Sequence, residues 1–111
     1  MIGVILITRG NFGEKMLEAA AAILGPQEKV CSYSFSVGTE PDQIKEEIIK
    51  KIEESNCPEG ILILTDMCGG TPCNIALSVV KALEIEGLGQ KCEIVSGFNL
   101  YMLISVLNQR Y

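Results

Sequence analysis

The sequence predicts an α/β fold, an open parallel sheet in the strand order 2-1-3-4 with helices on both faces. Two observations carry that expectation. Apolar runs of strand length alternate with amphipathic stretches of helix length in an unbroken β-α-β-α-β-α-β-α series, which right-handed crossovers turn into a parallel sheet covered on both sides. The run Ile61-Leu62-Ile63-Leu64 is apolar at every position, so both of its faces must be buried, as in a central parallel strand.

Taken in order, the first strand is Ile2–Thr8. A helix follows from Phe12 to Leu24, with Met16, Leu17, Ala20, Ile23 and Leu24 on one face, and Gly25-Pro26 stops it. Val30–Ser36 alternates, with Val30, Ser32, Ser34 and Ser36 on one side and Cys31, Tyr33, Phe35 and Val37 on the other. Only one of those faces is strongly apolar, which places the strand towards a sheet edge. Thr39 is the expected cap of the next helix, with Asp42 three residues on and Ile44, Ile48 and Ile52 as its buried stripe. Its Lys45, Lys50 and Lys51 interleave with Glu46, Glu47, Glu53 and Glu54 and read as a solvated face. Asn56-Cys57-Pro58-Glu59-Gly60 breaks the helix before Ile61–Leu64. Thr71 is then read as the cap of a helix with Pro72 at its first position and Ile75, Ala76, Val79, Val80 and Leu83 buried, ended by Gly87 and Gly89. Cys92–Ser96 is the fourth strand, and Asn99 caps a last helix through Leu100, Leu103, Val106 and Leu107.

A chain of 111 residues fits one domain over residues 1–111, with no room for a second core. Its net charge of −5 argues against nucleic acid, which needs a clustered basic face. The five cysteines (Cys31, Cys57, Cys68, Cys73 and Cys92) form no CxxC pair and no secreted disulfide spacing, so they are expected to be reduced thiols. The amino-terminal MIGVILITRG has no basic region or cleavage site of a signal peptide, and no apolar run approaches the roughly 20 residues of a membrane span. A cytoplasmic protein without membrane insertion is expected.

Two strand ends carry the chemistry. Ile2–Ile7 runs into Thr8-Arg9-Gly10-Asn11-Phe12-Gly13, and Ile61–Leu64 runs into Thr65-Asp66-Met67-Cys68-Gly69-Gly70-Thr71-Pro72-Cys73-Asn74. Each reads as strand, glycine turn and helix start, a sequence of elements that brings backbone and free N–H groups up to an anion. In the order 2-1-3-4 the winding direction reverses between strands one and three, and the crevice at their carboxyl ends is where such sheets bind ligands. Taken singly, an Asp after a central strand is usually a turn cap and Gly-Gly-Thr-Pro an ordinary strand-to-helix turn. The two ends together, with Gly25-Pro26 and Ser96-Gly97-Phe98-Asn99-Leu100-Tyr101-Met102-Leu103 in their places, make a longer pattern.

That pattern resembles the IIA domain of the mannose family of the bacterial phosphoenolpyruvate:sugar phosphotransferase system, over almost the whole chain. The resemblance implies a flavodoxin-like three-layer domain that takes phosphate from the carrier protein HPr and gives it to a IIB domain in sugar uptake. It further implies work in the cytoplasm, beside a membrane permease complex, with no cofactor. It implies that Asp66 orients the reactive imidazole and that Gly69, Gly70 and Thr71 receive the phosphoryl oxygens, while Pro72 and Asn74 shape the turn. The family's phosphorylated histidine falls at Arg9, and the chain contains no histidine. A guanidinium stays protonated and has no lone pair with which to attack phosphorus, so Arg9 can pair with Asp66 or clamp an anion but cannot accept phosphate.

Three explanations are open: an introduced change at position 9, a member that binds without turnover, or a nucleophile moved to Cys68 or Cys73. The chain as written is expected to be inactive in phosphotransfer. A non-catalytic regulatory or docking domain of the same family is the alternative. A flavodoxin-like domain for a small phosphorylated ligand is disfavoured by a composition with no Trp, three Tyr and three Phe. Relative to the family the chain is short at its carboxyl end, where better-known members exchange an edge strand across a dimer. A homodimer would then form through an exposed sheet edge.

Overall fold

The computed structural model describes residues 1–67, 69–85 and 91–111. Four strands and four helices alternate: β1 (Gly3–Arg9), α1 (Phe12–Leu24), β2 (Val30–Phe35), α2 (Pro41–Glu54), β3 (Ile61–Thr65), α3 (Thr71–Ile85), β4 (Cys92–Ser96) and α4 (Leu100–Gln109). All strand pairs are parallel and their order is β2-β1-β3-β4, as the sequence predicts. β1 therefore carries β2 on one side and β3 on the other, and the winding direction reverses between β1 and β3.

Side-chain alternation divides the core into two layers. Ile5, Ile7, Ile61 and Ile63 point to one face, where Ile44, Ile48 and Ile52 of α2 and Ile75, Ala76, Val79 and Leu83 of α3 cover them. Val4, Leu6 and Leu64 point to the other, under Ala20 of α1 and Leu103 and Leu107 of α4. The central strands are thus apolar on both sides because both sides are covered. At the β2 edge, Cys31, Tyr33 and Phe35 pack on the α2–α3 layer, so the apolar side of that strand is the one the alternation marks.

Several local expectations need correction. β1 and β2 are each displaced or shortened by one residue, which makes Arg9 the last residue of β1 and leaves Val37, fully exposed, in the following loop. Ile23 is 61% exposed, because it sits at the margin of the α1 stripe that Met16, Leu17, Ala20 and Leu24 bury. Thr39 does not cap α2: its Oγ1 accepts the N–H of Ser36 at 3.1 Å, and Glu40 precedes Pro41 with no side-chain cap. Pro41 begins this helix with its φ already suitable, and lacks an N–H that would need a cap. Thr71 lies inside α3 as its first residue, with Pro72 second, since the Gly70 carbonyl accepts the N–H of Asn74 at 3.0 Å. Asn99 does cap α4, its side chain accepting from Met102 N at 2.9 Å. Gly87 and Gly89, the expected end of α3, lie outside the described residues.

Arg110 is a buried residue that the sequence does not mark. It lies beyond α4 and donates to the carbonyls of Ile2 (3.3 Å), Glu28 and Lys29 (3.1 Å) and to the Gln27 side chain (3.4 Å), so it ties α4 to the amino ends of β1 and β2.

Candidate functional site

The two glycine turns meet at the carboxyl ends of β1 and β3. Asp66 follows β3 directly and Arg9 ends β1, and the register that pairs Ile7 with Thr65 sets them side by side. The Asp66 carboxylate accepts two backbone N–H groups, that of Arg9 at 3.0 Å through Oδ2 and that of Met67 at 2.8 Å through Oδ1. The nearest approach of the Arg9 side chain is Nε to Oδ2 at 4.0 Å, with side-chain exposures of 56% for Arg9 and 15% for Asp66. Asp66 therefore holds residue 9 by its main chain, and the ion pair adds little at that distance and exposure.

The guanidinium extends over the second turn. A Cβ added at Gly70 would stand 2.6 Å from Arg9 Nη2, so glycine at position 70 is what gives the side chain its place. Gly69 has φ +82°, a conformation open to glycine and costly for other residues, and it lets the chain turn into α3. Arg9, Gly10 and Thr71, with the loop from Phe35 to Thr39, line a cleft of about 440 Å³. Of the candidate site residues, then, Arg9 and Asp66 are in contact, Gly70 lies against the guanidinium, and Thr71 lines the cleft. The wall formed by Ser36, Val37, Gly38 and Thr39 is not visible in the sequence, because a polar loop with no motif gives no sign of which crevice it borders. Gly10 N–H donates to Phe35 O at 2.8 Å, and this bond carries β2's loop to the site.

Thr8 is a further residue that the sequence motifs do not single out. It is wholly buried, and its Oγ1 accepts the N–H of Gly13 at 2.8 Å, which fastens the start of α1 to the end of β1 just before Arg9. Gly13 must be small, because a Cβ there would lie 2.9 Å from both Thr8 Oγ1 and Ser32 Oγ. The signal was legible: a hydroxyl residue at the strand end and a glycine five residues on, in the first turn of a helix. Thr8→Val keeps the volume and removes the acceptor, leaving a buried N–H unpaired. It should lower unfolding free energy in urea by about 1–3 kcal/mol, with Thr8→Ser close to wild type. Equal midpoints for wild type and Thr8→Val would show that the bond is dispensable.

Among the described residues, the thiols are poorly placed for chemistry in the cleft. Cys73 is buried in the first turn of α3, and Cys68 lies outside the described residues. Cys31 lines a separate small cavity at the amino ends of the strands, where burial raises its thiol pKa more than Lys51 lowers it. The Cys92 thiol is pushed up to about 11 by burial, with Glu93 adding to the shift. The arrangement at the cleft can do one thing well: it offers a fixed cation and the start of a helix to an anion.

Comparison with known proteins fits this geometry. The family model described as "PTS system fructose IIA component" matches residues 3–111. The chain is 29% identical over 109 residues to the mannose-specific EIIAB component of Escherichia coli K12, covering 98% of this chain and 32% of that protein. It thus spans about a third of that relative's length. Against the fructose-specific EIIA component of Bacillus subtilis 168 it is 27% identical over 110 residues, 99% of this chain and 71% of that one. The crystal structure of phosphotransferase system component EIIA from Streptococcus agalactiae is similar with a TM-score of 0.84 and 32% identity, over 99% of this chain and 79% of that one.

Proposed function

Because the chain belongs to the mannose-family IIA domains of the phosphotransferase system, we propose that it serves sugar uptake at the IIA position, between HPr and a IIB domain. We further read Arg9 as standing at the phosphoacceptor position, so that the chain as written does not pass phosphate on. One observation carries this reading: at the end of β1, where the family resemblance expects an imidazole, a guanidinium lies over Gly70 while Asp66 grips the same residue's amide. In this reading Asp66, Gly69, Gly70 and Thr71 would orient and receive a phosphoryl group, and the side chain that would carry it is not a nucleophile. Among the described residues no helix is long and apolar enough to cross a membrane.

The second reading is a regulatory or docking domain that keeps the partner surface and has lost the chemistry. It draws support from Phe12, Val37, Met67 and Tyr101, exposed apolar side chains in the loops and helix starts at the crevice end of the sheet. Both readings give the same result for the chain as written. Supplied with phosphoenolpyruvate, enzyme I and HPr, it should take up no acid-labile phosphate. Labelling of the unmodified chain would overturn that expectation and turn attention to Cys68 and Cys73, through their serine variants and mass analysis.

A further inference from the structure

We infer that the open edge of β2 takes an extended, basic peptide segment of a partner protein, which adds to the sheet as a further strand with its lysines or arginines against Glu40 and Glu47. Recognition there is by backbone pairing and charge, independent of what the cleft binds.

β2 is an outer strand of the order β2-β1-β3-β4, and its neighbour β1 engages only every second residue of it. The Lys29 carbonyl accepts the N–H of Val4 at 3.0 Å and the Phe35 carbonyl that of Gly10 at 2.8 Å. In the parallel ladder between them, the backbone groups of Cys31 and Tyr33 therefore also face β1, and those of Val30, Ser32 and Ser34 face outward. Val30–Phe35 contains no proline and no charged residue, the devices that usually blunt such an edge. Beside it runs a groove of about 340 Å³, lined by Ser32, Tyr33 and Ser34 on the strand and by Glu40, Gln43 and Glu47 at and along α2. Its described lining holds these two acids and no cation. Burial, then Cys31 and Glu47, push the Tyr33 phenol up to about 12, so the Glu47 carboxylate stands near the strand. Charge disfavours a second copy as the occupant. Two β2 edges paired antiparallel would set the acidic sides of two α2 helices against each other, whereas a basic segment neutralises them. Seven residues of helix separate the two carboxylates by about 10 Å. Alternate residues of a strand point to one face about 7 Å apart, so cations at every second position reach both. The groove shares Gly38 and Thr39 with the cleft, which gives a protein seated at the crevice a direct path along β2 for such a segment.

The probe is a peptide of six residues with blocked ends, alternating lysine and valine, titrated into the isotope-labelled full chain while backbone resonances are followed. Saturable shifts are expected at Val30, Ser32 and Ser34, with slower hydrogen exchange of the Ser32 and Ser34 amides, because those N–H groups gain acceptors. Replacing Glu40 and Glu47 together by glutamine leaves the backbone edge intact and should weaken binding about fivefold or more, with the difference shrinking as salt screens the pairs. A peptide of the same charge, N-methylated at every second residue, loses the ladder donors on one side and should not protect the two amides when so modified on the pairing side. Equal protection by both N-methylated forms would reduce the contact to charge alone and overturn strand addition. So would saturable binding whose shifts avoid β2, or an affinity unchanged in the double glutamine variant. A glutamate–valine peptide that binds as well as the lysine–valine one would overturn the basic character of the occupant. Sedimentation of the chain alone tests the second copy: a dimer in which Ser32 and Ser34 are already protected assigns the edge to self-pairing and overturns the inference, whereas a chain whose two amides exchange freely until peptide is added supports it.

Discussion

Arg9→His is expected to turn the chain, for which we propose no phosphate uptake, into one labelled on most of its molecules by phosphoenolpyruvate, enzyme I and HPr. Imidazole supplies what the guanidinium cannot, a nitrogen lone pair available near neutral pH. Its surroundings need little change. The Asp66 carboxylate already sits 3.0 Å from the amide of residue 9, and an imidazole, shorter than arginine, relieves the close approach to Gly70. Orientation of the ring is where Asp66 should matter, since a misplacement of about 1 Å can cost about a hundredfold in rate. Asp66→Ala added to the Arg9→His variant should slow labelling on that order. Asp66→Asn, which keeps an acceptor and removes the charge, divides the loss between geometry and electrostatics. Acid lability and mass analysis assign the label to the introduced imidazole. If the Arg9→His variant folds and stays unlabelled, the crevice has diverged at more than one position and the docking reading takes over.

The fold was legible because its signals are local. Ile61–Leu64 announces burial on both faces by composition alone, and Asn99 caps α4 from three residues away. The juxtaposition of Arg9 and Asp66 is legible too, though it spans 57 residues, because Arg9 ends one central strand, Asp66 follows the other, and the topology then dictates where they meet. What the sequence hid depends on distances that no motif encodes. Asp66 was expected to face the side chain of residue 9, and its main contact is with that residue's amide. Thr39 has the composition of a cap, yet its hydroxyl turns back to Ser36, because a tight loop offered a nearer donor than the helix did. A backbone bond from Gly10 to Phe35 helps bring the loop wall of the cleft to the site, and neither segment forecasts it.

Arg110→Met is expected to lower the unfolding free energy by about 3 kcal/mol, a large share of the roughly 5–15 kcal/mol that holds a small domain folded. Arg110 is 4% exposed, and its bonds reach 81 to 108 residues back along the chain, so no local substitute can replace them. Hydrogen bonds from a charged donor contribute about 1.5–3 kcal/mol each. The sum is smaller, because taking a guanidinium out of water costs several kcal/mol that methionine does not incur. The carbonyl of Lys29 also keeps the N–H of Val4 at 3.0 Å, whereas those of Ile2 and Glu28 lose their charged donor. Lysine should restore less than half, since one ammonium cannot fork across three carbonyls and a side-chain amide. Arg110 lies at the amino ends of the strands, opposite the crevice, and its loss should not alter phosphoryl chemistry while the chain stays folded. Labelling of the Arg9→His variant should therefore be unchanged by adding Arg110→Met well below the unfolding temperature. A fall in labelling with the fold intact would mean that the two ends of the sheet are coupled through β1, the strand whose amino end Arg110 anchors and whose carboxyl end Arg9 completes.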